Sequence, residues 1–305
     1  MAIQNSYIDS FKKYIIIVLV TLMVFLAATE VFLREYVVSI PKSVPKRIYS
    51  VYTSNNSNVA VGDSHIFRSF IDQDKYLNLG RGGSTIPVMD LFIRNYYKYR
   101  KPRNVIVEAS PQMISEIHLK WLDKNHSKFF NINYWYLPKI FLFEKGISQY
   151  LASIDSWQDL KQVFTKSWPN EMKKSQYWSQ MEESERLKRT LSRVEFQEPL
   201  MGTELANNYF YIYKNMLKFL LDKGANVCIL RTPVDKYYLK FIENNKAYQE
   251  SLVQFKKIAN ELDIKYIDFR TLNMDFNLSA FINQDHLMPT KSKEFARLVD
   301  QACYQ

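Results

Sequence analysis

Two short motifs near opposite ends of the chain carry side chains that could act as a nucleophile and its base. The sequence Gly-Asp-Ser-His occupies residues 62–65, directly after an apolar run, and Asp285 and His286 lie near the C-terminus. A strand that stops on Gly-Asp-Ser presents its serine at the carboxyl edge of a sheet, where a distant histidine can accept the hydroxyl proton. The pairing of Ser64 with His286 is the main indication of function.

A glycine-rich turn at residues 78–85 follows the second predicted strand. Glycine lets backbone approach a ligand without obstruction by a side chain. A dinucleotide loop of the form Gly-x-Gly-x-x-Gly would need glycine at position 85, which is Thr85, so nucleotide binding is not expected. Ser64 is expected to open a helix, where its own N–H is unpaired and directed at a developing oxyanion.

Three further histidines are given smaller roles. His65 is interpreted as a first-turn helix residue beside the site, without a part in proton transfer. His118 and His126 lie in a long insertion and are interpreted as surface or local packing residues.

Apolar strand-like runs alternate with longer amphipathic stretches from residue 58 onward. This alternation predicts a parallel sheet with helices on both faces, and ligands then bind outside the carboxyl ends of the strands. The predicted strands are Val59–Gly62, Tyr76–Gly80, Val105–Ala109, Val227–Arg231 and Lys265–Phe269, and the predicted helices are Ile86–Tyr99, Glu204–Lys223, Ala247–Leu262 and Thr290–Gln301.

A segment of about ninety residues, 113–200, separates the third strand from the next helix, more than a simple crossover needs. It contains all five tryptophans and a mixed-charge helical tail, Glu182 to Arg193. We interpret it as a helical insertion. Its aromatic residues either form a lid or sugar-stacking platform beside the site, or make the insertion's own small core.

The segment Tyr14 to Leu33 carries a single charge and is long enough, as a helix, to span the ~30 Å core of a bilayer. It is apolar on every face, and residues 27–29 make a poor cleavage site, so an uncleaved signal anchor is expected. Basic residues on both sides leave its orientation open. A tether at 39–58 follows, in which Pro41 and Pro45 bar regular structure.

The composition is that of an ordinary folded protein, with 47% hydrophobic and 24% charged residues. The net charge of +10 is spread along the chain without a basic run, so nucleic acid is not an expected partner. A basic surface facing an anionic membrane or polymer fits better. Cys228 and Cys303 are interpreted as a buried free thiol and a loose terminal one.

Taken together, these motifs resemble the SGNH (GDSL-like) hydrolase and acyltransferase superfamily, over residues 58–112 and 202–303. The resemblance implies a flavodoxin-like three-layer α/β/α sandwich with a five-stranded parallel sheet. By the same likeness, Ser64 matches the nucleophile, Gly83 a glycine whose N–H joins the oxyanion hole, and His286 the base. No metal or organic cofactor is implied.

Two departures from the family pattern concern the supporting residues. The family acid usually sits three residues before the histidine, but that position holds Asn283. Either the adjacent Asp285 substitutes for it, or Asn283 orients a dyad, or the catalytic machinery is impaired. The asparagine expected after the third strand is also absent, and Ser110 or Gln112 is the alternative oxyanion donor.

The sequence therefore predicts a single-pass protein of the cytoplasmic membrane: an anchor (1–36), a linker (37–57), an SGNH-like domain (58–112 and 201–305) and a helical insertion (113–200). The motifs also resemble the membrane-anchored branches of this superfamily that modify surface polysaccharides, and this resemblance implies a domain outside the cytoplasm that acts as an O-acetyltransferase or acetylesterase on a surface or extracellular polysaccharide. A multi-span acyl-carrying membrane protein is a possible partner. The alternative is a non-catalytic scaffold or glycan-binding subunit of a polysaccharide synthesis or export complex, which Asn283 and the altered third motif favour.

Overall fold

The structure is a computed structural model that describes residues 2–32, 54–70, 75–98, 100–118 and 178–305. The chain divides into two compact units. The unit formed by Ser54–Phe130 and Asn170–Gln305 contains every described element except the first helix. The proposed division into anchor, linker, domain and insertion stays a prediction.

The first helix, α1 (Ala2–Phe32), contains the predicted apolar segment. Within it, Phe11–Thr29 has a mean hydropathy of 2.2, and none of this stretch is buried inside the protein. By length and composition, α1 is therefore able to cross a membrane as a span or a signal anchor.

Five parallel strands form the main sheet, in the order β2-β1-β3-β4-β5. This is the doubly wound order of a flavodoxin-like sheet, in which the crevice lies where the strand order reverses, beside β1. The predicted fold class is confirmed. The strands are β1 (Val59–Val61), β2 (Leu77–Asn78), β3 (Asn104–Glu108), β4 (Asn226–Arg231) and β5 (Lys265–Asp268).

Helices pack on both faces of this sheet. They are α2 (Ser64–Ser69), α3 (Ile86–Tyr96), α4 (Glu183–Phe196), α5 (Glu204–Asp222), α6 (Lys236–Glu243), α7 (Lys246–Glu261) and α8 (Pro289–Tyr304). On one face α2 and α8 contact each other, and α8 contacts β5; on the other, α5 contacts α3, α7 and β4. The four helices predicted in the domain are present, whereas α6 was not predicted.

A small antiparallel hairpin, β6 (Phe281–Asn283) and β7 (His286–Leu287), follows the main sheet. Two residues separate its strands, and it contacts α2. The sequence did not predict this hairpin, because strands of two and three residues are too short to show a period-two pattern. It is the element that carries His286 to the sheet edge.

The two cysteines are joined by a disulfide bond between Cys228 and Cys303, so their interpretation as a free buried thiol and a loose terminal one is wrong. Cys228 lies in β4 with its side chain in the core, and α8 packs its last turns against that core. The Cα atoms of the two cysteines are 5.8 Å apart, a separation that a disulfide spans. The bond ties the C-terminal helix to β4, an interior strand of the sheet.

Candidate active site

The structure brings the two predicted reactive side chains into contact. Ser64 is the first residue of α2, directly after β1, and His286 is the first residue of β7. The Ser64 Oγ lies 2.8 Å from the His286 Nε2, across 222 residues of sequence. This is hydrogen-bond distance for a nucleophile and its general base.

Asn283 fixes the tautomer of His286. Its Oδ1 lies 3.0 Å from the His286 Nδ1 and also accepts a hydrogen bond from the Asp285 backbone N–H, at 3.3 Å. Because a backbone N–H can only donate, the atom facing His286 is the carbonyl oxygen of the amide, and the imidazole proton resides on Nδ1. The Nε2 lone pair is then free to accept the proton of Ser64.

Asp285 supplies the negative charge that Asn283 lacks. Its side chain is 0% exposed, and its Oδ1 lies 2.9 Å from the His286 Nδ1. No geometrically sound hydrogen bond reaches this oxygen from the described residues, so we treat its close contact with the ring as electrostatic. The two tasks of a triad acid, orienting the imidazole and stabilising its charged form, are thereby divided between Asn283 and Asp285.

Arg193 holds the other oxygen of this carboxylate. The residue lies near the end of α4, in the predicted insertion, and its Nε donates to the Asp285 Oδ2 at 2.9 Å. Burial by itself would raise the pKa of Asp285, but its contacts with His286, Arg193 and His65 hold that pKa well below its usual range. Sequence reasoning missed Arg193, because nothing distinguishes it from the other charges of a solvated helix.

A second histidine and carboxylate lie beneath the first pair. Asp63 caps α2 by accepting the His65 backbone N–H at 2.7 Å, and its Oδ1 lies 2.6 Å from the His65 Nδ1. Burial alone would lower the pKa of His65, but the Asp63 carboxylate outweighs it and raises that pKa to about 9. His65 is therefore a buried cation at neutral pH, and its Nε2 lies 3.8 Å from the Asp285 Oδ2.

Glu108, at the end of β3, completes this buried network. Its Oε2 accepts the Asp63 backbone N–H at 2.6 Å, and its Oε1 accepts the hydroxyl of Ser110. Burial and the nearby Asp63 charge raise the pKa of Glu108 to about 8, so it is protonated at neutral pH. A Cβ at Gly62 would come within 2.1 Å of the Glu108 carboxyl, which explains why glycine precedes Asp63.

A cavity of about 210 Å³ opens over Ser64 and is also lined by Gly83. Gly83 has φ 70°, a conformation that favours glycine. Ser64 and Gly83 thus lie together, as the predicted oxyanion donors must. Ser110 donates to Glu108, and the Gln112 side-chain amide donates to Asp63 at 3.2 Å, so both proposed third donors are committed below the cavity.

His118 also lines this cavity and is buried, so it is not a surface residue, whereas its contact with Ser115 agrees with the local packing that was predicted. The turn that follows β3 reverses the chain and so places His118 over the edge of the sheet. The His118 Nδ1 lies 2.8 Å from the Ser115 Oγ, and burial lowers its pKa and keeps the ring neutral. His126 lies outside the described residues.

The tryptophans of the insertion are only partly described. Trp178 is buried, and its indole N–H donates to Asp235, so this ring belongs to the domain core and not to a stacking platform. The other four tryptophans lie outside the described residues.

Among the residues that the structure describes, two groups of side chains have the composition of a metal site: His65 with Asp285 and His286, and Asp63 with His65 and Glu108. In the second group the Asp63 Oδ1 and the His65 Nδ1 are 2.6 Å apart, closer than the roughly 3 Å between two ligands of one ion. In the first, the His286 nitrogens already contact Ser64 and Asn283. An ion would have to replace these contacts, so neither group fits a metal as it stands.

No family model and no curated protein matches the sequence. Two solved structures from Bacteroides are similar to it at 11% identity. A protein described as an acylhydrolase from Bacteroides fragilis matches with a TM-score of 0.40, covering 87% of this chain and 90% of that one. A GDSL-like lipase from Bacteroides thetaiotaomicron matches with a TM-score of 0.39, covering 82% and 88%.

Proposed function

We propose that this protein performs serine-dependent acyl transfer, as an O-acetyltransferase or acetylesterase, through an acyl-Ser64 intermediate. The observation that supports this most is the 2.8 Å contact between the Ser64 Oγ and the unprotonated Nε2 of His286. A non-catalytic scaffold would not need a histidine whose tautomer allows it to accept the proton of Ser64 at the N-terminus of α2.

The reaction follows from these positions. Ser64 attacks the carbonyl carbon of an ester while its hydroxyl proton passes to the His286 Nε2. The N–H groups of Ser64 and Gly83 stabilise the oxyanion, and Asp285 stabilises the imidazolium. His286 then protonates the departing alcohol, which leaves an acyl-Ser64 ester. Water or a sugar hydroxyl attacks this ester and gives its proton to His286, which returns it to the Ser64 Oγ as the acyl–oxygen bond breaks.

Burial sets His286 up as a base near neutral pH. It lowers the pKa of His286, and the positive charges of His65 and Arg193 add to this effect, while Asp285 opposes it. The imidazole is therefore neutral and able to accept a proton over the physiological range.

Acetyl is the acyl group that the cavity suits best. At about 210 Å³ the space over Ser64 is below the ~300–1,000 Å³ of pockets that enclose drug-sized ligands. A short acyl group fits such a space, whereas a fatty acyl chain would need a longer apolar channel.

An extracytoplasmic polysaccharide is the substrate that we propose. The apolar helix α1 supplies a means of anchoring the chain in the cytoplasmic membrane. The Cys228–Cys303 disulfide supports placing the domain outside the cytoplasm, since disulfides persist in oxidising compartments. In the transferase version, a multi-span membrane protein would deliver the acyl group.

An activity-based probe tests the proposal. The full chain in detergent is incubated with a fluorophosphonate, beside Ser64→Ala, His286→Gln and the control Ser84→Ala. Ser84 suits this control because its buried hydroxyl has no hydrogen-bond partner within the described structure. Labelling of the parent and of Ser84→Ala alone is expected, together with release of acetate from an aryl acetate. An unlabelled parent would support the scaffold alternative instead.

A further inference from the structure

A larger groove of about 770 Å³ lies beside the cavity over Ser64. Its walls are one face of α4, Trp178 and Met181 just before that helix, and residues 282–284 of the β6–β7 hairpin. Arg193 and Phe196 line both spaces, so the groove is adjacent to the cavity that contains the nucleophile. A ligand in this groove would therefore lie next to Ser64.

The α4 face that lines the groove is basic. Residues spaced three and four apart share one side of a helix. The α4 residues on the side that lines the groove are Glu185, Lys188, Arg189, Ser192, Arg193 and Phe196. This face carries three cations and one carboxylate. Arg189 pairs with Glu185 at 2.7 Å, but both side chains are exposed, and such surface pairs exchange partners at little cost.

Arg193 is placed to recognise an anion. Its Nε is committed to Asp285, whereas its two Nη groups have no hydrogen-bond partner within the described part of the chain. The side chain is 30% exposed and lines the passage between groove and cavity. A guanidinium fork held in this way matches the planar geometry of a carboxylate.

The remaining lining suits a sugar. Phe196 is 54% exposed and offers an apolar surface beside Arg193. Ser192, Asn283 and Gln284 offer hydroxyl and amide groups. Exposed aromatic surface combined with hydroxyl and amide groups complements the apolar faces and the hydroxyls of a pyranose ring.

We propose that this groove binds an acidic stretch of polysaccharide, with a sugar carboxylate on the Nη groups of Arg193 and a neighbouring carboxylate near Lys188. This inference rests on the proposed function and narrows its substrate from glycans in general to uronate-bearing ones. Binding in the groove would hold the acylated or accepting hydroxyl over Ser64.

Binding is measured with the full chain in detergent, in the Ser64→Ala background. The probes are oligogalacturonate and the same oligomer with its carboxyls methyl-esterified. We expect the acid form to bind at least about tenfold more tightly at low salt and to weaken as salt is added, because exposed charges are screened. Equal binding of the two forms would overturn the proposal.

Variants locate the site. Lys188→Gln should weaken the acid form about three- to fivefold, whereas the control Lys257→Gln, on α7, should leave it unchanged. Ser192→Trp should fill the groove and abolish oligosaccharide binding without lowering the midpoint of thermal unfolding. Equal losses in Lys188→Gln and Lys257→Gln would contradict the placement.

Two further results separate this inference from its alternatives. If the parent cleaves no ester but binds the acid form in a Lys188-dependent way, the proposed function is wrong, whereas the binding of acidic polysaccharide in the groove is supported. If Lys188→Gln weakens binding to anionic phospholipid vesicles and not to oligogalacturonate, the basic face is a membrane contact and the inference is wrong.

Discussion

The imidazole of His65 lies nearly parallel to that of His286, with the ring centroids 4.9 Å apart and the planes inclined by 16°. His65 is cationic through its contact with Asp63, and His286 is the neutral base. A buried positive charge at this distance opposes protonation of the second ring. His65 therefore acts as a positioning residue that sets the basicity of His286 without touching substrate.

The first prediction concerns the acid limb of the pH–rate profile. Activity requires unprotonated His286, so it rises with pH through the pKa of that residue. At an effective dielectric of about 20, charges ~5 Å apart interact by ~3 kcal/mol, or about 2 pKa units, as an upper estimate. His65→Gln should move the acid limb of kcat/KM to higher pH by about 1 unit or more.

A matched variant separates this effect from loss of packing. His118 lines the same cavity but is neutral, so His118→Gln should move the acid limb far less, whatever it does to the rate. If both variants shift the limb equally, or if His65→Gln only lowers kcat, the charge of His65 is not what tunes His286.

The second prediction concerns the division of the acid's role. Asp285→Asn removes the charge that stabilises the imidazolium but leaves Asn283 to fix the tautomer, so kcat should fall by about 10²-fold. Asn283→Ala should cost less, about tenfold, because the Asp285 Oδ1 is still 2.9 Å from the Nδ1. Steady-state hydrolysis of an aryl acetate measures both, and an unchanged rate in Asp285→Asn would rule out its electrostatic role.

Asn283→Asp supplies a further check. It restores a carboxylate at the position usual in the family, next to that of Asp285. A second negative charge at the Nδ1 should raise the pKa of His286, so the acid limb should move to higher pH, in the same direction as in His65→Gln.

The sheet could be predicted from sequence because each strand is a short apolar run between amphipathic helices. The five predicted strands all appear in the sheet, with ends within about two residues, as is usual for boundary assignments. The hairpin at 281–287 and α6 were missed, since the strands of the hairpin are too short to show a period and α6 has only eight residues, about two helical turns. The disulfide was missed because Cys303, the third residue from the C-terminus, gave no sign that its helix packs on β4.

At the site, sequence identified the residues that react but not those that support them. Ser64, Gly83 and His286 follow strand ends or lie in a recognisable motif, so their placement could be anticipated. Arg193 reaches Asp285 from 92 residues away, which no local pattern reveals. Glu108 did leave a signal, because a carboxyl that ends a buried strand needs partners.

The third prediction concerns stability and Glu108. A carboxyl whose pKa is higher in the folded state binds its proton more tightly there, so the stability it contributes is present below its unfolded pKa and is lost as pH rises. For Glu108 that loss runs from 4.5 to about 8, and for His65 from 6.5 to about 9. Of these two groups, only Glu108 therefore changes the free energy of unfolding with pH between about pH 5 and 6.5.

Glu108→Gln mimics the protonated acid and should fold. Relative to the parent, its free energy of unfolding should gain up to ~1.4 kcal/mol for each pH unit from about 5 to 6.5. Denaturant titrations of the full chain at several pH values measure this difference. The exposed Glu294→Gln serves as the control for the substitution itself, and parallel pH curves for parent and Glu108→Gln would contradict a protonated Glu108.

The last prediction concerns the disulfide, which closes a loop with a sequence separation of 75 residues. Chain-entropy arguments give such a loop about 4 kcal/mol of stabilisation, with smaller values common in practice. Replacing both Cys228 and Cys303 by alanine should lower the free energy of unfolding by about 2–4 kcal/mol, as measured by guanidinium titration. Reduction of the parent should cause a similar loss, and the same reductant should not affect the double variant.

Thiol labelling tests the bond in the compartment where the chain resides. Cells that express the parent are denatured and then treated with a maleimide polymer, which should label the two cysteines only if a reductant was added first. Full labelling without reductant would contradict both the bond and the extracytoplasmic placement of the domain, because the two cysteines would then be thiols in the compartment where the chain resides.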